Sequence, residues 1–116
     1  MRNETKKRLL DAIEACEMID LRIAGLDLDT FERADTVRDA VVSRLLVIGE
    51  ALNWIRRHDP ATVQGVPHLD EIVAMRHRLV HAYAEIDDEI VWDAAVSKLG
   101  PLRERLDALL GERPNE

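Results

Sequence analysis

The segment from Thr36 to His58 constrains the fold most, because apolar residues at helical spacing cover most of its surface. One stripe repeats every three or four residues and comprises Val37, Val41, Leu45, Ile48, Leu52 and Ile55. A second apolar set widens that stripe and comprises Val42, Leu46, Val47, Ala51 and Trp54. A helix this apolar must be buried on more than one side. We therefore expect it at the centre of a bundle, and also in an interface if two copies associate.

The ends of this central helix are marked by residues with known positional preferences. Asp35 is predicted to be its N-cap, since aspartate accepts hydrogen bonds from the free backbone N–H groups of a first turn. Pro60 is predicted to mark its end. Another helix is predicted from Asn3 to Ala24, closed by Gly25 in a left-handed conformation.

Two more helices are predicted in the second half of the chain. One begins near Pro67, a residue suited to the first helical position, and runs to about Ala82. The next starts after Asp87 with acidic residues in its first turn, and Gly100-Pro101 is predicted to break or kink it. A short final helix carries Leu102, Leu106, Leu109 and Leu110.

These segments predict an all-α fold, an antiparallel four-helix bundle with a short extra C-terminal helix. The wide apolar surface of the central helix predicts that the bundle forms a two-fold homodimer, the commonest soluble assembly. Residues 1–110 are predicted to form the single helical domain, and residues 111–116 a flexible tail.

Charge and cysteine content narrow the class of protein. The chain has 16 lysines and arginines against 23 aspartates and glutamates, a net charge of −7. That balance counts against a broad nucleic-acid-binding surface, so any RNA chemistry needs a local cluster of cations.

Cys16 is the single cysteine, and it falls on the apolar side of the first helix, so we expect it in the core. We expect neither a signal peptide nor a membrane span. The predicted compartment is therefore the cytoplasm, and we expect the protein to have no contact with a membrane.

Residues 76–83 concentrate functional groups as no other segment does: two arginines, two histidines and a tyrosine lie within eight residues. His77 and His81 are four residues apart and share one helical face. Arg76 and Tyr83 share another face if the helix continues that far. Arg76 and His81 can converge if the helix ends near His81, or if two copies meet.

Several roles are open to these residues. Histidine titrates near neutral pH and can act as base or acid, and arginine can bind the oxygens of a phosphate, which together suit RNA cleavage without a metal. Alternatively, His77 and His81 could be half of a metal site completed by His68 or Glu71. Arg76 and His81 could also hold a helix end through backbone carbonyls, with Tyr83 only packing at the edge of the bundle.

The spacing of Arg76, four residues, His81, one residue and Tyr83 resembles the R-X4-H-X-Y motif of the HepT-like toxins, which are HEPN domains. Residues 48–51, Ile-Gly-Glu-Ala, resemble the family's signature on its second helix. Met75 before the motif and residues 87–92 after it also fit. His77 stands where the family often has asparagine, and Ala84 where it often has an aromatic residue.

The resemblance implies a metal-independent RNase toxin, active as a homodimer with its two motifs facing each other and without a cofactor. Arg76 and His81 would be its catalytic residues. The implied partner is a MntA-like minimal nucleotidyltransferase, an antitoxin that transfers AMP to Tyr83. Bound AMP would add charge and bulk beside the cations that hold RNA.

Three residues are expected to support this site. Glu50 lies on a polar line of an otherwise apolar helix. If it is buried it needs a partner, and an arginine of the motif is a candidate; alternatively, this line is a solvent-facing edge of the helix. Arg78 is expected to be a surface cation that attracts RNA, and His77 shares the face of His81.

A second class of function stays open from the sequence. The bundle could be a non-catalytic dimeric partner that binds a nucleotidyltransferase through the motif. The acidic balance and His77 favour this reading, whereas the intact set of Arg76, His81 and Tyr83 favours the RNase.

Overall fold

The computed structural model describes residues 1–111, and every regular element in that range is helical, as predicted. A 3-10 turn, Tyr83–Glu85, separates the fifth and sixth α-helices, and a π-helical turn, Ala94–Lys98, separates the last two. The α-helices in chain order are α1 (Asn3–Ile23), α2 (Leu28–Arg33), α3 (Asp35–His58), α4 (Pro60–Val63), α5 (Leu69–His81), α6 (Asp88–Asp93) and α7 (Leu99–Leu110).

Helix α3 is the centre of the fold, and it contacts α1, α2, α4, α5 and α6. The predicted stripe is mostly buried: Val41, Leu45, Ile48, Leu52 and Ile55 are each at most 1% exposed. The second apolar set is less uniform, since Val42 and Ala51 are buried, Leu46 and Trp54 are partly exposed, and Val47 is exposed. The apolar surface left open around Val47 lies beside the site described below.

The start of α3 differs from the prediction because a short helix precedes it. Ala34 is the N-cap of α3, and Asp35 is already the first helical residue, so the prediction that Asp35 caps the helix was wrong by one position. Helix α2 was not predicted. Its single buried residue, Phe31, packs on Trp92 with ring centroids 5.2 Å apart. Six residues are too few to show helical periodicity, so tertiary packing decides this element.

The start of α5 was also predicted too early. Pro67 lies before the helix, because His68 adopts a left-handed backbone conformation with φ of +62°, and α5 begins at Leu69. Pro60 ends α3 as predicted and then occupies the first position of α4. Gly25, with φ of +79°, closes α1 as predicted.

Gly100-Pro101 does not break the last helix. The backbone is helical from Asp88 to Leu110, and it widens into the π turn just before the proline. Proline lacks an N–H group and its ring crowds the carbonyl four residues earlier, so a locally wider helix accommodates it. The predicted short final helix is therefore the longer α7, which starts at Leu99. Apart from Gly111, the predicted flexible tail lies outside the described residues.

Cys16 is buried in the core, as predicted, at 1% exposure. Burial, reinforced by the charge of Asp20, raises the pKa of its thiol to about 12. A thiol held protonated in this way is a poor nucleophile at neutral pH. Within residues 1–111, no helix combines the length and the apolar character needed to cross a membrane.

Candidate active site

The motif lies where α5 ends. His81 is the last residue of the helix, and Ala82 leaves it with φ of −144° while its N–H donates to the carbonyl of Arg78 at 2.7 Å. The chain then turns into the 3-10 segment that carries Tyr83. The condition under which Arg76 and Tyr83 would share a helical face is therefore not met, and the three motif residues have different surroundings.

Arg76 points toward α3, where its Nη2 lies 2.6 Å from Oε2 of Glu50. The guanidinium is partly buried and the carboxylate is about half exposed. Glu50 is thus the partner that the sequence suggested for a motif arginine, although it sits at the edge of the helix and not in the core. The pair holds Arg76 at the surface with part of its donor set open to solvent.

Gly49 allows this approach of the two helices. A Cβ built on Gly49 would overlap the Cβ of Arg76 and lie 2.8 Å from its Cγ. Because the Arg76 Cβ is fixed to the backbone of α5, only glycine fits between the helices at this level. These two neighbouring residues therefore have different functions: Gly49 lets α5 lie close to α3, and Glu50 orients Arg76.

His77 and His81 share a face of α5, as predicted, with ring centroids 4.4 Å apart and a tilt of 50° between the rings. Both histidines are exposed. In a single copy, therefore, Arg76 faces α3 while His81 stands beside His77 at the open end of the helix. An exposed imidazole at a helix end is accessible to a large substrate such as RNA.

Tyr83 is 43% exposed, and its ring lies beside Arg38 of α3. The Cζ of Arg38 lies 5.8 Å from the centre of its ring, and Nη1 of Arg38 lies 3.5 Å from Oδ1 of Asp88. Burial opposes the charge of Arg38, but Tyr83 and two neighbouring carboxylates outweigh it and raise the pKa of the guanidinium. Sequence reasoning missed Arg38, which lies 45 residues before Tyr83 and carries no motif signal of its own.

Two clefts meet at Arg76. One, of about 330 Å³, lies toward α1 and is lined by Arg8, Asp11, Glu50 and apolar residues that include Val47 and Val80. The other, of about 430 Å³, lies between α3 and α5 and brings His77 and Arg78 together with residues not assigned from sequence: Asn53, Arg56 and Asp70. A larger cleft, of about 740 Å³, shares Arg56 and Asp70 with the cleft between α3 and α5, whereas one of about 770 Å³ lies elsewhere; neither contains a motif residue.

The residues considered as extra metal ligands lie far from the two histidines. Glu71 and His68 precede His77 by six and nine residues, which is about 9 Å and about 13 Å along a helix axis. His68 and Lys98 each contact a different oxygen of Glu71 at 2.8 Å, and hydrogen bonds from Lys98 and then His68 lower the pKa of that carboxyl. Among residues 1–111, no group of three or more His, Cys, Asp or Glu side chains could hold a metal ion.

The protein is a helical domain built around one apolar helix. An arginine and a histidine lie in the last turns of a neighbouring helix, and a tyrosine follows in the turn after it. Residues 12–109 match the family model described as Ribonuclease HepT-like. The chain belongs to this family, which the resemblance of its motif had indicated.

Three curated relatives have names that agree with this family. A "Putative RNase" of Caldanaerobacter subterraneus subsp. tengcongensis is 26% identical over 84% of this chain and 87% of its own length. A "Putative RNase" of Methanocaldococcus jannaschii is 25% identical, covering 94% of this chain and 89% of its own. A "Probable ribonuclease HepT" of Thermococcus cleftensis is 27% identical, covering 94% and 98%. No solved structure gives a significant match.

Proposed function

We propose that this protein is a metal-independent endoribonuclease, the toxin of a toxin–antitoxin pair, with Arg76 and His81 as its catalytic residues. The observation that carries the proposal is the complete motif at the open end of α5, in a chain of the HepT-like family. Arg76 is oriented at the surface by Glu50, and His81 is exposed to solvent.

The chemistry follows from the two side chains. Cleavage of RNA without a metal requires a base that removes the proton of a 2′-hydroxyl and an acid that protonates the leaving 5′-oxygen. Imidazole performs either role near neutral pH. Attack of the 2′-oxygen on phosphorus builds negative charge on the phosphate oxygens, which the guanidinium of Arg76 stabilises. His81 supplies one proton-transfer group per copy, so two copies supply both.

We propose that the active form is a homodimer of HEPN-like bundles. In each copy α1, α3, α5 and the α6–α7 segment are the four main helices of an antiparallel bundle. Val47 and Val80, at 38% and 50% exposure, are apolar residues beside the ion pair of Arg76 and Glu50. Burying them against a second copy would bring the two motifs toward each other. Light scattering at micromolar concentration is expected to give the mass of a dimer, and a monodisperse monomer would contradict this part of the proposal.

The partner in this proposal is a MntA-like minimal nucleotidyltransferase that transfers AMP to Tyr83. The phenol is accessible on the 3-10 turn, and Arg38 beside its ring offers a cation for the added phosphodiester. A phenol has a reference pKa of about 10, so the partner must supply the base and the metal that activate it. AMP at this position would then compete with the phosphate of RNA.

Substitution of Tyr83 by phenylalanine tests the regulatory part. The variant keeps most of the ring's packing but lacks the acceptor oxygen, so we expect it to retain RNase activity and to escape silencing by the active partner. Mass spectrometry after incubation with partner, ATP and magnesium should show the mass of AMP on the wild-type protein only. A mass gain that persists in Tyr83→Phe would place the modification elsewhere. Silencing of Tyr83→Phe by a catalytically inactive partner would point to blocking by complex formation.

Cleavage of RNA by the purified, unmodified protein tests the function itself. We expect cleavage to continue in EDTA and to disappear in the Arg76→Ala variant. If EDTA stops cleavage and zinc restores it, a metal site that includes His77 and His81 replaces this mechanism. Absence of cleavage together with tight binding to the nucleotidyltransferase would favour the non-catalytic partner.

A further inference from the structure

We propose that the cleft between α3 and α5 binds the RNA backbone next to the cleaved phosphodiester, and that Arg56 is a phosphate-binding residue there. The inference rests on the proposed RNase function and extends it to residues outside the motif. It concerns Arg56, Asn53 and Asp70, which the structure brings into the same cleft as Arg76.

Arg56 is held in position from two sides. Its Nη1 donates to Oδ1 of Asp70 at 2.8 Å, and its Nη2 lies 3.4 Å from Oδ1 of Asn53. A guanidinium has five N–H donors in a fixed fork, so these two contacts leave donors for a phosphate. An arginine whose orientation is already set loses less freedom when it binds a ligand.

The charges in this cleft suit an anionic strand. Its lining includes three arginines, Arg56, Arg76 and Arg78, against the single carboxylate of Asp70. Since Glu50 pairs with Arg76 from outside this lining, the formal excess is one positive charge before His77 is counted. The cleft on the other side of Arg76 has two arginines and two carboxylates and is formally neutral. Since the whole chain carries a net charge of −7, a local excess of this kind directs a polyanion to one place.

Asp70 acts as a replaceable partner in this arrangement. Its side chain is 87% exposed, and ion pairs between exposed groups contribute little to stability. A phosphate can therefore take over contacts of Arg56 at small cost. Asp70 also repels the strand, so its charge opposes RNA binding while its hydrogen bond orients Arg56.

Arg56→Gln and Arg57→Gln form a matched pair of variants. Both remove one positive charge from the last turn of α3, but only Arg56 lines the cleft. Binding is measured by fluorescence anisotropy with a labelled single-stranded RNA of mixed sequence, in a His81→Ala background in which cleavage is slow. Circular dichroism melting checks that each variant is folded.

We expect Arg56→Gln to weaken RNA binding about tenfold and to reduce the slope of log Kd against log salt concentration by roughly 0.7, the value for one phosphate contact on a single strand. Arg57→Gln should leave both quantities unchanged. Asp70→Asn should tighten binding several-fold, a direction that loss of structure would not produce.

Equal effects of Arg56→Gln and Arg57→Gln on Kd and on the salt slope would overturn the inference, and so would weaker binding by Asp70→Asn. In either case, cleavage by the protein without these substitutions would show that the proposed function stands. Failure of that protein to bind or cleave RNA would overturn the proposed function, and the inference with it.

Discussion

Replacing His81 by alanine is expected to lower the rate of RNA cleavage about a hundredfold to ten-thousandfold, the usual cost of losing an acid–base group. The side chain is exposed at the end of α5, so the variant should melt close to the wild-type temperature. Initial rates on a labelled RNA, measured together with a thermal melt, separate lost chemistry from lost structure.

His77→Ala is the matched control for that experiment. His77 is the same type of residue on the same face, also exposed, and its ring lies 4.4 Å from that of His81. Because it is not the histidine of the R-X4-H-X-Y motif, we expect its loss to cost much less activity. A large loss in His77→Ala combined with retained activity in His81→Ala would exchange their roles and contradict the assignment.

Replacing Gly49 by alanine is expected to destabilise the protein by about 1–3 kcal/mol, the usual cost of overpacking a tight contact. The added methyl group would overlap the Cβ of Arg76, and α5 would have to move away from α3. Within an unobstructed helix the same change would stabilise by roughly 0.5–1 kcal/mol, so the sign of the effect is diagnostic. Urea unfolding gives the stability, and RNA cleavage should fall because the pair of Arg76 and Glu50 is displaced.

A second substitution distinguishes this contact from a general effect on α3. In Gly49→Ala combined with Arg76→Gly, the small residue is moved from one helix to the other and the overlap disappears. We expect part of the lost stability to return, while activity stays absent because the arginine is gone. A Gly49→Ala variant as stable as the wild type would show that the two helices are not in close contact at this level.

Much of the fold could be predicted from the sequence because apolar residues at helical spacing show which face of a helix is buried. The stripe on α3 and the core position of Cys16 were found in this way, and the left-handed Gly25 was found from the preference for glycine after a helix end. The errors occur where local signals are short or ambiguous. Pro67 reads as a helix start, but the left-handed backbone of His68 delays α5, and Gly100-Pro101 is absorbed by a wider turn.

Apart from Glu50, the candidate site was predicted only as far as its residues are neighbours in sequence. The spacing of Arg76, His81 and Tyr83 is visible in one segment, but their surroundings depend on α3. Arg38 reaches Tyr83 and Arg56 reaches Asp70 only because α3 packs beside α5 and its flanking turns. Glu50 could be proposed as a partner of the motif because it sat on a polar line of an apolar helix. Arg56 lies in a run of cations at the end of α3 and gave no such signal.

The chemical nature of the cleaved ends of RNA tests the central claim most directly. The purified protein is incubated with a defined RNA in EDTA, and the products are identified by mass spectrometry, with Arg76→Ala treated in parallel. Attack by the 2′-hydroxyl predicts a 2′,3′-cyclic phosphate on one fragment and a 5′-hydroxyl on the other, with no cleavage by the variant. Fragments with 5′-phosphate ends, cleavage only after a divalent metal is added, or equal cleavage by Arg76→Ala would contradict the account.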